Sequence, residues 1–207
     1  MSIHITWLGH ACFKIESAGY AIVLDPYEDG YVPGLSNLRV SANKVLCSHQ
    51  HGDHCCVDAV TVKDFDAPCP FAVSTVSCAH DDVGGKRRGM NLIHILESGG
   101  LRVAHFGDIG CRLTDGQIAE IGKLDAAILP VGGYYTIGPE EAKELAERLN
   151  ARVVIPMHYR SEAFGFPNTA ELSAFTRLCD DVVEYDGNSM VLGESTRKQT
   201  AVLRYIP

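Results

Sequence analysis

Residues 46–56 read Leu-Cys-Ser-His-Gln-His-Gly-Asp-His-Cys-Cys, and positions 49–54 alone hold three histidines and an aspartate. His49 and His51 are two apart, so on extended backbone both side chains point the same way. Gly52 permits a sharp turn. Asp53 and His54 are then expected to open a short helix in the Cys-Cys-Val-Asp-Ala-Val run that follows. One pair can grip one ion from a strand end, and the other pair can grip a second ion from the helix start. Imidazole and carboxylate suit Zn²⁺, Mn²⁺ or Fe. The plainer alternatives are a tract of surface histidines or a site for a single ion.

Other residues weigh against those alternatives. His80 follows the apolar run 71–75, Asp108 follows 101–106, and His158 follows 152–157. Each ends an apolar run, as His49 ends 44–48. Taken singly, a His or Asp after a strand is an ordinary turn or capping group. If these strands lie side by side in one orientation, their ends converge on one edge, where open sheets build ligand sites.

The remaining pattern is consistent with sheets carrying helices on their outer faces. Alternation and β-branched content predict strands near 3–8, 11–16 and 20–24 as a run of hairpins. Further strands are expected at 44–48, 71–75, 91–97, 101–106, 126–131 and 152–157, then at 182–185, 190–193 and 201–206. The Asp-Gly-Asn-Ser at 186–189 is a turn signal joining 182–185 to 190–193. Helices are expected between the later strands. One follows a capping-box spacing from Thr114 to Gln117. A second opens at Pro139, carries Glu140 and Glu141 in its first turn, and ends at Asn150. A third spans 169–178 behind an Asn168 or Thr169 cap. No linker, low-complexity tract or clear repeat interrupts the chain, so it is expected to form one domain, 1–207. The segment 25–43 is expected to be a functional loop.

The motifs His-x-His-x-Asp-His (49–54), Ala-His-Asp-Asp-Val-Gly-Gly (79–85), His-Phe-Gly-Asp-Ile-Gly (105–110) and Ile-Pro-Met-His-Tyr (155–159) occur in that order. Trp-Leu-Gly-His-Ala (7–11), Val-Leu-Asp-Pro-Tyr (23–27) and Leu-Pro-Val-Gly-Gly-Tyr-Tyr (129–135) accompany them. Together they resemble the metallo-β-lactamase superfamily, and within it the small metal-dependent hydrolases of the ascorbate-6-phosphate lactonase branch. The resemblance implies an α/β fold, the αβ/βα four-layer sandwich, with metals at the sheet edge. It also implies that His49, His51 and His80 hold a first metal, that Asp53, His54 and His158 hold a second, and that Asp108 bridges them. His80 is the weakest of these assignments; His94 and His105 are the other candidates for its place. His94 reads as a sheet residue and His105 as support for Asp108. His10 and Asp25 are expected to approach the site, with capping a hairpin and starting a turn as their plain alternatives.

The implied cofactors are two divalent ions, zinc foremost, with manganese or iron acceptable. Such a pair activates water at neutral pH. The expected activity is therefore hydrolysis of an ester, lactone or phosphate-containing small molecule, with Asp53 orienting the water and moving its proton. Tyr134 and Tyr135 are candidate substrate contacts. Lys86, Arg87 and Arg88 are a solvated turn or an attractor of an anionic substrate, with Arg88 the named contact. A non-catalytic metal-binding or sensor protein is one alternative, and a phosphodiesterase or nuclease is another. A diiron redox protein would need a flavin-bearing partner domain, for which 207 residues leave no room.

A net charge of −8 argues against a broad nucleic-acid surface. No apolar run approaches the ~18 residues of a membrane span, and the first ten residues do not resemble a signal peptide. A cytoplasmic location is the expectation. The eight cysteines form no C-x-x-C pair and are expected to be small buried apolar groups in a reducing compartment. A homo-oligomer is an open expectation, since the Phe-Gly-Phe-Pro at 164–167 could form a pocket lid or a subunit contact.

Overall fold

The structure, a computed structural model, describes residues 2–63 and 68–207. Its frame is two mixed sheets. The first has five strands in the order β13-β1-β2-β3-β5, namely Ser189–Leu192, Ile3–Gly9, Cys12–Ser17, Tyr20–Leu24 and Lys44–Leu46. The second has seven in the order β12-β14-β11-β10-β9-β8-β7. Along that order they are Val182–Glu184, Gln199–Val202, Val153–Met157, Ala126–Pro130, Leu101–His105, Met90–Ser98 and Ala72–Ala79. A small ribbon pairs β4 (Val40–Ala42) with β6 (Val60–Val62).

Side-chain alternation explains how the sheets meet. On β3, Ile22 and Leu24 enter the main core, while Ala21 and Val23 enter a smaller cluster on the opposite face. The main core joins Ile3, Ile5, Trp7 and Phe13 of the first sheet to Ile93, Ile95, Val103, Ile128 and Ile155 of the second. The two inner faces therefore share one apolar interior. Strands β10 and β11 are buried at every position, the continuous apolar pattern of parallel strands covered on both faces.

The helices behave largely as their caps predict. Helix α1 (Asp115–Ile121) has the complete Thr114–Gln117 capping box. Helix α2 (Pro139–Leu149) starts on Pro139 and stops at Asn150, which adopts left-handed backbone at φ 46°. Helix α3 is shorter than expected, Leu172–Thr176, and its N-cap is Glu171 rather than Asn168 or Thr169. Thr169 instead bonds its hydroxyl to the Phe166 carbonyl, closing a turn.

One further expectation is corrected. The segments 182–185 and 190–193 do not form a hairpin: β12 pairs with β14 and β13 pairs with β1, in different sheets. The 186–189 turn carries the chain from one sheet to the other. The outer face of the five-stranded sheet is covered by the 25–43 segment, through Tyr27, Val32 and Leu38, together with the β4–β6 ribbon. Among the described residues, no helix is long and apolar enough to cross a membrane.

Strands β1, β3 and β5 run one way in the first sheet, and β7, β9, β10 and β11 share a direction in the second. The residues that follow their C-terminal ends form the site.

Candidate metal centre

Six strand ends each deliver one titratable side chain: His10 after β1, Asp25 after β3, His49 after β5, His80 after β7, Asp108 after β9 and His158 after β11. The sequence pattern anticipated this convergence in a single sheet. The ends in fact come from two sheets facing each other, which surrounds the site rather than lining one edge. His10, Asp25 and His158 adopt left-handed backbone at φ 52°, 49° and 55°. Such conformations cost about 1–3 kcal/mol each and persist where the surroundings over-determine them.

The 49–54 segment is a turn. The Cys55 and His54 N–H groups both donate to the His51 carbonyl, at 2.9 and 3.0 Å. No α-helix follows; a single 3₁₀ turn spans Val57–Ala59. Val57 and Val60 are β-branched, and Val60 is already extended. Asp53 and His54 therefore sit in the turn itself. That turn also corrects the cysteine expectation, because it brings Cys55 back beside Cys47 and the two form a disulfide with Cα atoms 5.3 Å apart. The six other cysteines are free.

Ligand-type atoms lie within 4.8 Å of one another in three overlapping sets: His49, His51 and His80; His49, His54 and Asp108; and His10, Asp53, His54 and His158. All seven expected ligands are thus brought together, and His10 joins them. Asp108 lies between the sets, with Oδ1 3.1 Å from His54 Nε2 and Oδ2 3.2 Å from His158 Nε2 and 3.5 Å from His80 Nε2. His94 and His105 stay outside. His94 Nε2 bonds the Cys47 carbonyl at 3.0 Å, and His105 Nε2 bonds the Ala11 carbonyl at 2.8 Å.

Do these residues fit metal ions? Ten buried side-chain N or O atoms lack a hydrogen-bond partner among the described residues, and seven of them are here. They are His10 Nδ1, His49 Nε2, His54 Nε2, His80 Nδ1, Asp108 Oδ1 and both ring nitrogens of His158. An unmet buried polar atom costs about 1–3 kcal/mol, so such a concentration calls for a partner other than protein. Proton affinities agree. Burial, reinforced by the neighbouring His54, holds His49 down to about 3. Burial and His158 hold His10 at about 4. Burial alone would raise the Asp108 carboxyl, yet His158 and His54 keep it well below the ordinary carboxylate range. Neutral imidazoles beside ionised carboxylates are the donor set a divalent cation requires; His54 differs, because although burial lowers its proton affinity, Asp108 and Asp25 raise it well above the ordinary imidazole range, so a bound ion would have to displace that proton. The residues fit.

Supporting bonds fix the donors. Asp25, fully buried, accepts from the Ser48 N–H and hydroxyl at 2.6 Å each and from His54 Nδ1 at 2.8 Å. That bond turns His54 Nε2 toward the cluster. Ser48 Oγ also lies 2.9 Å from His49 Nδ1. Asn91 Oδ1 accepts from the Asp108 N–H at 2.8 Å, while its Nδ2 donates to the Phe106 carbonyl at 2.9 Å. Ser48 and Asn91 escaped the sequence reading because small polar residues inside apolar runs carry no signal of their own. Glycines let the backbones close in. A Cβ on Gly132 would lie 2.0 Å from the His158 carbonyl oxygen, and one on Gly110 would lie 2.5 Å from that of His80.

Beside the cluster lies a cavity of about 260 Å³. His51, Asp53, His80 and Asp108 line one part; Tyr31, Arg88, Tyr135 and Phe166 line the rest. Tyr135 therefore reaches the site. Tyr134 does not line the cavity: it is 63% exposed and packs its ring on Tyr135. Phe164 and Phe166 are half-buried rather than exposed. Phe164 joins Trp7, Tyr159 and Tyr205, and Phe166 packs on His10, Tyr31 and Tyr135.

A family model described as a beta-lactamase superfamily domain matches residues 4–158, which include every residue of the cluster. The chain belongs to the metallo-β-lactamase superfamily. A metal-dependent hydrolase of Heliobacterium modesticaldum is 26% identical over 233 residues, covering 93% of this chain and 96% of its own length. One of Archaeoglobus fulgidus is 30% identical over 194 residues, covering 76% and 83%. A solved Thermotoga maritima structure, a candidate Zn-dependent hydrolase of this superfamily, is 36% identical. It superposes with a TM-score of 0.76 over 99% of this chain and 100% of that one. Membership makes this chain a metal-dependent hydrolase in the broad sense that these relatives share. The narrower resemblance to ascorbate-6-phosphate lactonases rests on the sequence motifs alone.

Proposed function

We propose that this superfamily member hydrolyses a small ester, lactone or phosphate-containing molecule using two divalent cations. The observation that supports the reading best is the set of seven buried donor atoms, drawn from two sheets, that have no protein partner. His49, His51 and His80 would hold one ion, Asp53, His54 and His158 the other, with Asp108 shared. Zinc suits this nitrogen-rich set, and manganese or iron accept the same ligands. When bound, such ions supply a hydroxide nucleophile near neutral pH and polarise the substrate oxygen.

The chain's own residues do the rest. Asp53 Oδ2 lies 3.3 Å from His10 Nε2, so His10 fixes the carboxylate that orients the attacking water and takes its proton. His10 in turn packs against His158, with ring centres 4.0 Å apart and planes tilted by 44°, which limits its motion. Tyr135 offers a phenol at the cavity wall for a substrate oxygen.

The test is turnover of a lactone and phosphodiester panel by wild-type protein, chelator-treated protein and Asp53→Ala. The reading expects activity that falls at least ~100-fold on either perturbation, in line with loss of a proton-transfer group. Undiminished turnover in chelator-treated protein refutes it. Two bound ions with no turnover on any substrate class would favour a metal-binding or sensor role instead.

A further inference from the structure

The loop 80–89 carries three adjacent cations, Lys86, Arg87 and Arg88, and treats them differently. Arg87 is exposed and pairs with Asp82 at 3.3 Å. Arg88 is half-buried, and its guanidinium carbon stands 5.5 Å from the Tyr135 ring centre, at the wall of the site cavity. Among the described residues, seven of the eleven arginines pair with a carboxylate; Arg88, like Arg177, Arg197 and Arg204, does not, and of these four Arg88 alone lines the site cavity. Asp53 and Asp108 line the same cavity but belong to the candidate metal-ligand sets, where bound cations would neutralise them. The Arg88 guanidinium thus lines the cavity with no carboxylate within salt-bridge distance among the described residues, leaving its planar fork of donors free for a ligand.

The loop is built to hold that position. Asp81, 1% exposed, accepts four backbone N–H groups: Val83 and Gly85 on Oδ1 at 2.9 and 2.7 Å, Arg87 and Arg88 on Oδ2 at 2.8 and 2.9 Å. The Gly89 N–H closes the turn onto the Gly85 carbonyl at 2.9 Å. Gly85 has φ +83°, and a Cβ there would lie 2.9 Å from the Gly89 oxygen. A fixed backbone under a charged side chain lowers the freedom lost on binding. Aromatic rings adjoin Arg88: Tyr135 lies under the guanidinium, and Phe166 packs on Tyr135 and edge-on to Tyr31.

We propose that Arg88 is the specificity-determining residue of this site. It would bind a compact oxyanion, a carboxylate or phosphoryl group, on a substrate whose apolar or planar part lies against Tyr31, Tyr135 and Phe166. The inference rests on the hydrolase reading and narrows its substrate class. The scissile group would lie over the His and Asp cluster, with the anion at the far wall. The volume falls just below the ~300 Å³ at which drug-sized ligand pockets begin, so the substrate is small. In a chain of net charge −8, an inward unpaired arginine also sets where an anion can approach.

Calorimetry on the zinc-loaded protein tests this, with phenylphosphonate and benzoate as anionic probes and benzamide as the neutral one. R88Q should weaken phenylphosphonate binding at least 10-fold and leave benzamide binding and zinc content unchanged. R88K, which keeps charge but not the planar fork, should fall between. Benzoate tells whether a carboxylate serves as well as a phosphoryl group. The proposal is overturned if wild type binds neither anion, if R88Q binds them as wild type does, or if benzamide weakens by the same factor. Failure of the hydrolase reading shows separately, as absent turnover on the substrate panel with the calorimetry intact.

Discussion

Asp25→Asn is the sharpest perturbation of the metal centre, because it changes one oxygen to nitrogen at a residue outside the seven ligands. The present carboxylate accepts from Ser48 on one oxygen, and from Ser48 Oγ and His54 Nδ1 on the other. An asparagine keeps its oxygen toward the Ser48 N–H, since the flipped amide would set donor against donor. Its NH₂ then faces His54 Nδ1. The imidazole must present a lone pair there and carry its proton on Nε2, the nitrogen that points into the cluster. A protonated nitrogen is not a ligand. Loss of such a supporting group typically costs 10–100-fold in metal affinity, which is about 1.4–2.7 kcal/mol. In excess free zinc the same loss appears as reduced linked stability. For a chain of this size, each kcal/mol shifts Tm by about 2–4 °C. Asp25→Asn should therefore bind zinc at least 10-fold more weakly in a chelator competition and melt roughly 3–11 °C lower when zinc-loaded. Zinc affinity within twofold of wild type would refute the tautomer argument.

Other outcomes follow from the same geometry. On the proposed two-ion reading, Asp108→Ala should lower zinc content below that of wild type, measured by mass spectrometry under native conditions, because one carboxylate lies within 3.5 Å of three histidine nitrogens. Gly132→Ala must displace the strand end that carries His158; it should cost ~1–3 kcal/mol in chemical denaturation, the usual range for overpacking, and weaken zinc binding as well. Thr114→Ala, which removes the α1 cap far from the cluster, should cost ~1 kcal/mol of stability and leave turnover unchanged. Zinc retention should fall as pH drops from 8 to 5, because a proton on His54 competes with the ion: burial lowers its proton affinity, but Asp108 and Asp25 raise it well above the ordinary imidazole range, so the proton is already held before His49 takes one up; a chelator competition over that range reads this directly.

How much of this was legible in the sequence depended on the range of the signal. Helix α2 was readable because Pro139, Glu140, Glu141 and Asn150 encode its ends locally. The candidate ligands were readable because His49, His80, Asp108 and His158 each follow an apolar run, while His51, Asp53 and His54 crowd beside His49 in one short segment. What decided the rest was long-range. Asp-Gly-Asn-Ser marks a turn correctly, but nothing local says that its flanking strands enter different sheets. The Cys47–Cys55 bridge depends on a turn that the sequence suggested would be a helix. Ser48 and Asn91 do their work through bonds to residues 15–23 positions away, and Asp81 through a loop whose shape is not encoded in any one residue. Tyr134 and Tyr135 are identical neighbours in sequence, and only the backbone at φ 62° on Tyr134 sends one outward.

The convergence of strand ends from two sheets has a mechanical consequence. Ions seated among His49, His80, Asp108 and His158 would clamp the first sheet to the second across their open ends, much as a rivet joins two plates. Loading with metal should then stiffen the whole sandwich, and stripping it should loosen the sheets where the apolar interior ends. The first sheet alone carries four of the seven candidate ligands and the second three, so neither sheet by itself would complete the set.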